Sequence, residues 1–200
     1  LNAQASDANV LAAATSDIEH SAHSLPGSQV TIDGNGTAAL ARGNTADNRL
    51  TLTGGSGSSL PTEATAVLGS FSRPSGSAMV LNAQTNTGAV TARAENVIYR
   101  TALNGGAYES GIALNGNSAS AGASGNSASN SLALASLDRL PTASLANVQV
   151  NSGPVSAQVI GATFRLITGG LTSNNLAVTG NIVSASATGN VATNAITSAR

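Results

Sequence analysis

The 200-residue chain has no cysteine and no tryptophan, and all eight of its Lys+Arg residues are arginine. Without cysteine there is neither a disulfide scaffold nor a thiolate metal site. Charged residues make up 8% of the chain, against roughly 25% in an ordinary domain. The formal net charge is -1, so the clustered Lys and Arg that phosphate binding requires are missing and nucleic acid is not an expected partner. Aromatics are 2%, namely Phe71, Tyr99, Tyr108 and Phe164. Each aromatic buries roughly 150–250 Å² in a core, and their scarcity excludes a thick globular interior. No apolar run approaches the roughly 20 residues of a membrane span.

Gly, Ala, Ser, Thr and Asn fill the space instead. Small and β-branched side chains suit a thin core between closely spaced backbone layers. The low charge argues against disorder, whose signature is high charge with low hydrophobicity. It also removes the usual electrostatic protection against self-association. The first residue is Leu1 rather than Met, which predicts a processed or trimmed protein whose signal peptide is gone.

Internal repetition organises the chain. The motif Gly-Asn-x-Ala-x-Asn-x-Leu/Ile runs from Gly43-Asn44 through Asn48 to Leu50. It returns from Gly125-Asn126 through Asn130 to Leu132, and from Gly189-Asn190 through Asn194 to Ile196. A further Gly-Asn precedes each copy: Gly34-Asn35, Gly116-Asn117 and Gly180-Asn181. Flanking matches agree: Gln84-Thr85-Asn86 with Gln149-Val150-Asn151, Tyr99-Arg100 with Phe164-Arg165, Leu1-Asn2-Ala3-Gln4 with Leu81-Asn82-Ala83-Gln84, and Leu60-Pro61-Thr62 with Leu140-Pro141-Thr142. These define three divergent units, residues 1–80, 81–144 and 145–200, each expected to hold two to four β-coils.

Short runs such as Val30-Thr31-Ile32, Leu50-Thr51-Leu52 and Leu132-Ala133-Leu134 alternate apolar and polar residues, the pattern of half-buried strands. Repetition turns this into an expectation of an all-β chain, a β-solenoid of stacked coils, since one unit cannot cover its own apolar face. Leu50, Leu52, Leu132, Leu134 and Ile196 are the expected core, with Arg49, Ser131 and Ala195 outward. Gly43, Gly125 and Gly189 are expected as positive-φ corners. Asn44, Asn126 and Asn190, and likewise Asn48, Asn130 and Asn194, are expected to stack as amide ladders. The Asn-Gly dipeptides Asn35-Gly36, Asn104-Gly105 and Asn115-Gly116 are hairpin signals and keep an antiparallel β-array or sandwich as the alternative. Ala8 to Ser24 fits either a helix or, by alignment of Val10 with Val90, a strand.

Residues 116–134, with Gly125-Asn126-Ser127-Ala128 followed by Asn130-Ser131-Leu132-Ala133-Leu134, resemble the curlin-type repeats of secreted bacterial fibre proteins. More loosely, the chain is similar to the Ala/Ser/Asn-rich β-solenoid adhesins of bacterial surfaces. The resemblance implies an extracellular or cell-surface β-fibre or adhesin; exposed strand edges make copies of the chain the expected partners, with extracellular polysaccharide or surfaces for an adhesin.

Chemistry-bearing residues are few. His20 and His23 beside Asp17 and Glu19 could share a metal on a helix, but structural zinc asks for four good ligands and a solvated patch is the simpler expectation. Two histidines outside any nucleophile motif do not build a triad. Asp33, Asp47, Glu63, Glu95, Glu109 and Asp138 are scattered, and none forms the pair of a glycosidase. Asp33-Gly34-Asn35-Gly36 is too short in ligands for a calcium loop, Asn35-Gly36-Thr37 is a lone sequon, and Gly54 to Ser59 suits a linker or variable loop. A flat ligand-binding face would need repeated Thr-x-Thr, and Thr51-Leu52-Thr53 stands alone. The expectation is therefore a non-enzymatic chain with no cofactor and no metal. It forms a filament or surface-layer subunit stacking head to tail, or alternatively an adhesin stalk. A polysaccharide-acting β-helix is a more distant alternative. Neither edge of the array shows a distinct polar capping unit.

Overall fold

The computed structural model describes residues 1–54, 64–65, 75–105, 107–136, 142–172 and 175–199, and its regular structure there is entirely β. Unit 1 supplies β1 (Asn2–Ser6), β2 (Val10–Ala22), β3 (Leu25–Pro26), β4 (Gln29–Asp33) and β5 (Gly36–Gly54). Two short strands follow, β6 (Ala64–Thr65) and β7 (Ser75–Gly76). Unit 2 supplies β8 (Ala78–Asn86), β9 (Val90–Leu103), β10 (Ala107–Tyr108), β11 (Gly111–Asn115) and β12 (Ser118–Ser136). Unit 3 supplies β13 (Ala143–Asn151), β14 (Val155–Ile160), β15 (Thr163–Thr168), β16 (Leu171–Thr172), β17 (Asn175–Thr179) and β18 (Ile182–Ala199).

The sheets join units rather than neighbours in sequence. β1-β8-β13, β3-β10-β16, β4-β11-β17 and β5-β12-β18 each take one strand from every unit, and β9 pairs with β2 on one side and with β14 and β15 on the other. All these pairings are parallel; the antiparallel pair among the described residues is β6 with β7. The Asn-Gly dipeptides thus mark bends between strands of different parallel sheets, and the antiparallel alternative is not realised. Residues 10–22 are a strand with Val10 beside Val90, so the helical alternative there falls as well. Each unit makes a single pass through the sheets, which corrects the expectation of several coils per unit. The reason is strand length: β5 and β12 run 19 residues, about 60 Å at about 3.3 Å per residue, where about 5–6 residues is usual.

β1 and β2 run out along one wall, β3 and β4 turn, and β5 returns along the facing wall. Between the walls lie successive zones. Val80, Leu132 and Leu134 pack with the partly buried Leu50, Leu52 and Leu145. Next come buried amides, Asn82, Gln84, Asn126 and Asn130. Then Ala39, Ala41, Ala121 and Ala123 meet Val90 and Ala92, small residues that let the walls close together. Beyond them Tyr99 is fully buried with Ile32, Val97 and Leu114. Its ring stacks on Phe164 of the next tier at 5.5 Å between centroids, and its hydroxyl meets Thr37 Oγ1 at 2.8 Å.

Leu132 and Leu134 are buried and Leu50 and Leu52 partly so, but Ile196 is 52% exposed although it stands in register with Leu132. Unit 3 is one of the two edge tiers, and among the described residues no strand pairs with β18 beyond it, so its inward positions keep solvent contact. Arg49 points outward, exposed; Ser131 is half-buried and Ala195 exposed.

Gly43, Gly125 and Gly189 are not corners. They lie inside β5, β12 and β18, and the positive-φ glycines among the described residues are Gly27, Gly34, Gly116, Gly161 and Gly180. The burial pattern explains the glycines. Thr37, Ala39 and Ala41 face inward at odd positions, then Asn44 and Ala46 at even ones; Ala119, Ala121 and Ala123 likewise give way to Asn126 and Ala128. The inward phase switches at the glycine in β5 and β12 together, so the two strands keep one register on either side of it. A Cβ on Gly43 would overlap the Gly125 carbonyl oxygen, and one on Gly125 would come within 2.5 Å of the Gly189 carbonyl oxygen. At Gly189 only Asn151 Nδ2 lies near, at 3.8 Å.

Two chemically identical substitutions should therefore differ by position. Gly125→Ala is expected to cost about 1–3 kcal/mol from overpacking. Gly189→Ala should stay within about 0.5 kcal/mol of the parent in the isolated chain. Urea unfolding of the two variants decides this, and equal losses would show that backbone freedom rather than close approach selects glycine.

Candidate functional site

The most developed chemistry in the molecule is a set of side-chain amide columns crossing the three tiers. Asn44 Nδ2 donates to Asn126 Oδ1 and Asn126 Nδ2 to Asn190 Oδ1, each at 2.8 Å, although the rungs are 82 and 64 residues apart in sequence. Asn48 donates to Asn130 at 2.8 Å and Asn130 to Asn194 at 2.9 Å. The two predicted columns are thus present, carried by β5, β12 and β18 just beyond the mid-strand glycine.

Four more columns went unpredicted. Asn35, Asn117 and Asn181 chain at 3.0 Å per step beside the corner glycines. Asn82 donates to Asn147 and Asn86 to Asn151, both at 2.7 Å. Gln149 donates to Gln84 at 2.7 Å and Gln84 to Gln4 at 2.8 Å, so this column runs opposite to the asparagines. The repeated Gly-Asn pairs and the Gln-x-Asn match were visible in the sequence. What they lacked there was any sign that these positions face inward.

An amide has two N–H donors, and the second one ties the walls together. Asn44 and Asn126 donate to the carbonyls of Thr85 and Val150 on the facing wall, at 2.8 Å each. Gln4, Gln84 and Gln149 donate in the other direction to the carbonyls of Thr45, Ser127 and Val191, at 3.0, 3.1 and 3.0 Å. An amide left unpaired in such a place costs about 1–3 kcal/mol, which is why fully buried Asn126 and Gln84 occur only with both ends engaged.

The columns open at the two edge tiers. Asn190 spends one N–H on the Gln149 carbonyl at 3.3 Å, and among the described residues its other has no onward acceptor. At the unit 1 edge, Asn44 Oδ1 and Asn35 Oδ1 accept nothing among the described residues, while Asn48 Oδ1 is taken by Asn2. One column is also truncated: Ser6 stands where Asn86 and Asn151 stand in the other tiers, and Asn86 Oδ1 is buried without a partner.

The other candidate residues do not converge. On β2, Asp17 and Glu19 face solvent while His20 faces inward, its Nε2 buried without a partner, and His23 lies exposed past the strand end. Glu19 instead pairs with Arg100 in the next tier, and Glu95 with Arg93 at 3.6 Å. Asp33, Asp47 and Glu109 are exposed on separate strands or bends. No group of three or more His, Cys, Asp or Glu placed to hold a metal exists among the described residues. Asp33 to Gly36 is a bend with Gly34 at φ 66°. Glu63, Asp138, Phe71, the Leu60-Pro61-Thr62 match and the stretch Gly55 to Ser59 lie outside the described residues. Among those described, no helix is long and apolar enough to cross a membrane.

Completing the truncated column should stabilise the fold. Ser6→Asn supplies a donor for Asn86 Oδ1 and is expected to add about 1 kcal/mol. Asn126→Ala should cost more than Asn190→Ala, since only the former leaves a donor in unit 1 and an acceptor in unit 3 unpaired. Chemical denaturation of the three variants tests both, and a neutral Ser6→Asn would show that water already serves Asn86.

No protein-family model, no curated protein and no solved structure matches this chain, so its function is argued from the columns and their open edges.

Proposed function

We propose that the chain is a β-solenoid, three stacked coils of one unit each, and that it serves as a structural subunit of an extracellular, bacterial filament or surface layer. Copies stack head to tail through their edge tiers. The observation that carries this reading is the polarity of the amide columns: asparagine donors face outward at unit 3 and asparagine acceptors face outward at unit 1, with the glutamine column reversed. An edge of this kind is completed by a second edge of the opposite polarity, which a copy of the chain carries. Long parallel edges, low charge and the lack of lysine leave little to discourage such pairing. The dispersed carboxylates and unpaired histidines support a structural role over a catalytic one. The resemblance of residues 116–134 to curlin-type repeats supports an extracellular setting.

A second reading, the stalk of a surface adhesin, is favoured by a steric mismatch at the unit 1 edge described below, which would keep a rod short. Its ligand would be an extracellular polysaccharide or surface.

The purified 200-residue chain, concentrated without any ligand, is expected to form unbranched filaments with a repeat of about 4.8 Å along the axis. Electron microscopy and fibre diffraction test this. A monodisperse monomer by sedimentation at high concentration would overturn the filament and leave the stalk.

A further inference from the structure

Two columns of the stack are too tight for a β-carbon, and they point in opposite directions. In the Gly43, Gly125, Gly189 column the missing Cβ would point into the following tier. In the corner between the first two strands of each unit it points into the preceding one. There a Cβ on Gly153 would overlap the Gly88 carbonyl oxygen and come within 2.7 Å of its carbon. A Cβ on Gly88 would overlap the Ala8 carbonyl oxygen and come within 2.6 Å of its carbon. The matching residue of unit 1, two after Ser6 and two before Val10, is Ala8, and it is exposed. Among the described residues no strand pairs with β1 or β2 on that side, and the Ala8 methyl group stands in open space.

We infer that the unit 1 edge is a docking surface for the unit 3 edge of a second copy, and that the Ala8 methyl group acts as its gate. The occupant follows from the donors and acceptors. A second copy stacked in register before unit 1 brings Asn190 to the free Asn44 Oδ1 and Asn181 to the free Asn35 Oδ1, and Gln149 Oε1 receives the spare hydrogen of Gln4. The same placement drives the Gly153 carbonyl of that copy onto the Ala8 methyl group. The corner Asp7-Ala8-Asn9 must therefore shift before the columns join, and this slows each addition without affecting the single chain. Gly189 is the complementary point on the other edge: its Cβ position is open in one chain and faces the Gly43 carbonyl of the following copy in a joined pair.

This inference rests on the self-assembly proposed above, and a series at residue 8 separates the two. Elongation is followed by light scattering and electron microscopy, and folding of each variant by circular dichroism and thermal melting. Ala8→Gly is expected to elongate about tenfold faster than the parent, equivalent to about 1.4 kcal/mol of barrier. Ala8→Val should elongate more slowly than the parent. Gly189→Val should fold normally, fail to elongate, and cap parent filaments at substoichiometric amounts. If the parent is monomeric and Ala8→Gly assembles, the gate stands and unaided assembly falls. If the parent assembles and Ala8→Gly is no faster, or Gly189→Val elongates normally, the gate is overturned and the filament stands. If neither parent nor Ala8→Gly assembles, both are overturned.

Discussion

Everything in this fold depends on burying carboxamides between two walls that are too close for large side chains. A primary amide has two donors and an acceptor with two lone pairs, and inside a protein each must find a partner. Parallel in-register stacking answers this, because an identical amide about one strand spacing away offers an acceptor where the first offers a donor. The register of β5, β12 and β18 is then fixed by chemistry as well as by the apolar pattern, since a one-residue slip would turn Asn44, Asn126 and Asn190 out of the interior. The second donor of each amide spans to the facing wall, so the same residues set both the axial repeat and the wall separation.

The composition follows from that constraint. Alanine dominates where the walls meet without amides, as at Ala41, Ala92 and Ala123, because larger residues would push the walls apart and break the cross-wall bonds. Tyr99 fits only near the turn end, where Thr37 takes its hydroxyl and Phe164 covers its ring. The mid-strand glycine marks where the inward phase changes along a 19-residue strand, with an alanine zone on one side of it and an asparagine zone on the other.

The asparagine columns were legible because repetition placed Asn44, Asn126 and Asn190 at equal positions, and equal positions of parallel units must lie one above another. The all-β class was legible from the period-two runs for the same reason. The number of coils per unit was not, since no local signal marks a strand as 19 residues rather than five when its interior contains glycine and asparagine, the residues that usually end strands. Gly43, Gly125 and Gly189 were misread on that basis. The need for glycine at Gly43 and Gly125 is set by a carbonyl in the adjacent tier, far away in sequence. Ile196 shows another limit: its position in the motif is that of Leu132, but burial depends on the tier above and not on the motif. The column of Ala8, Gly88 and Gly153 is hidden for the opposite reason, because one of its three members breaks the pattern.

The polarity of the columns also restricts symmetry. A two-fold contact that set each column of a unit 3 edge on its own copy would bring asparagine N–H against N–H and the Gln149 side-chain oxygen against its own copy, leaving those columns unsatisfied. The same holds for two unit 1 edges, where Asn44 and Asn35 would present oxygen to oxygen. Isologous dimers that stack like columns are therefore disfavoured at these faces, while an in-register heterologous contact satisfies asparagine and glutamine columns alike and does not close. Any assembly through the edges is a polar rod whose two ends differ chemically. One end offers Asn190 with an open Gly189, and the other offers Asn44 with Ala8 in its path. Growth at the two ends need not be equal, and a single methyl group at a corner is enough to set how readily one tier becomes the foundation of the next.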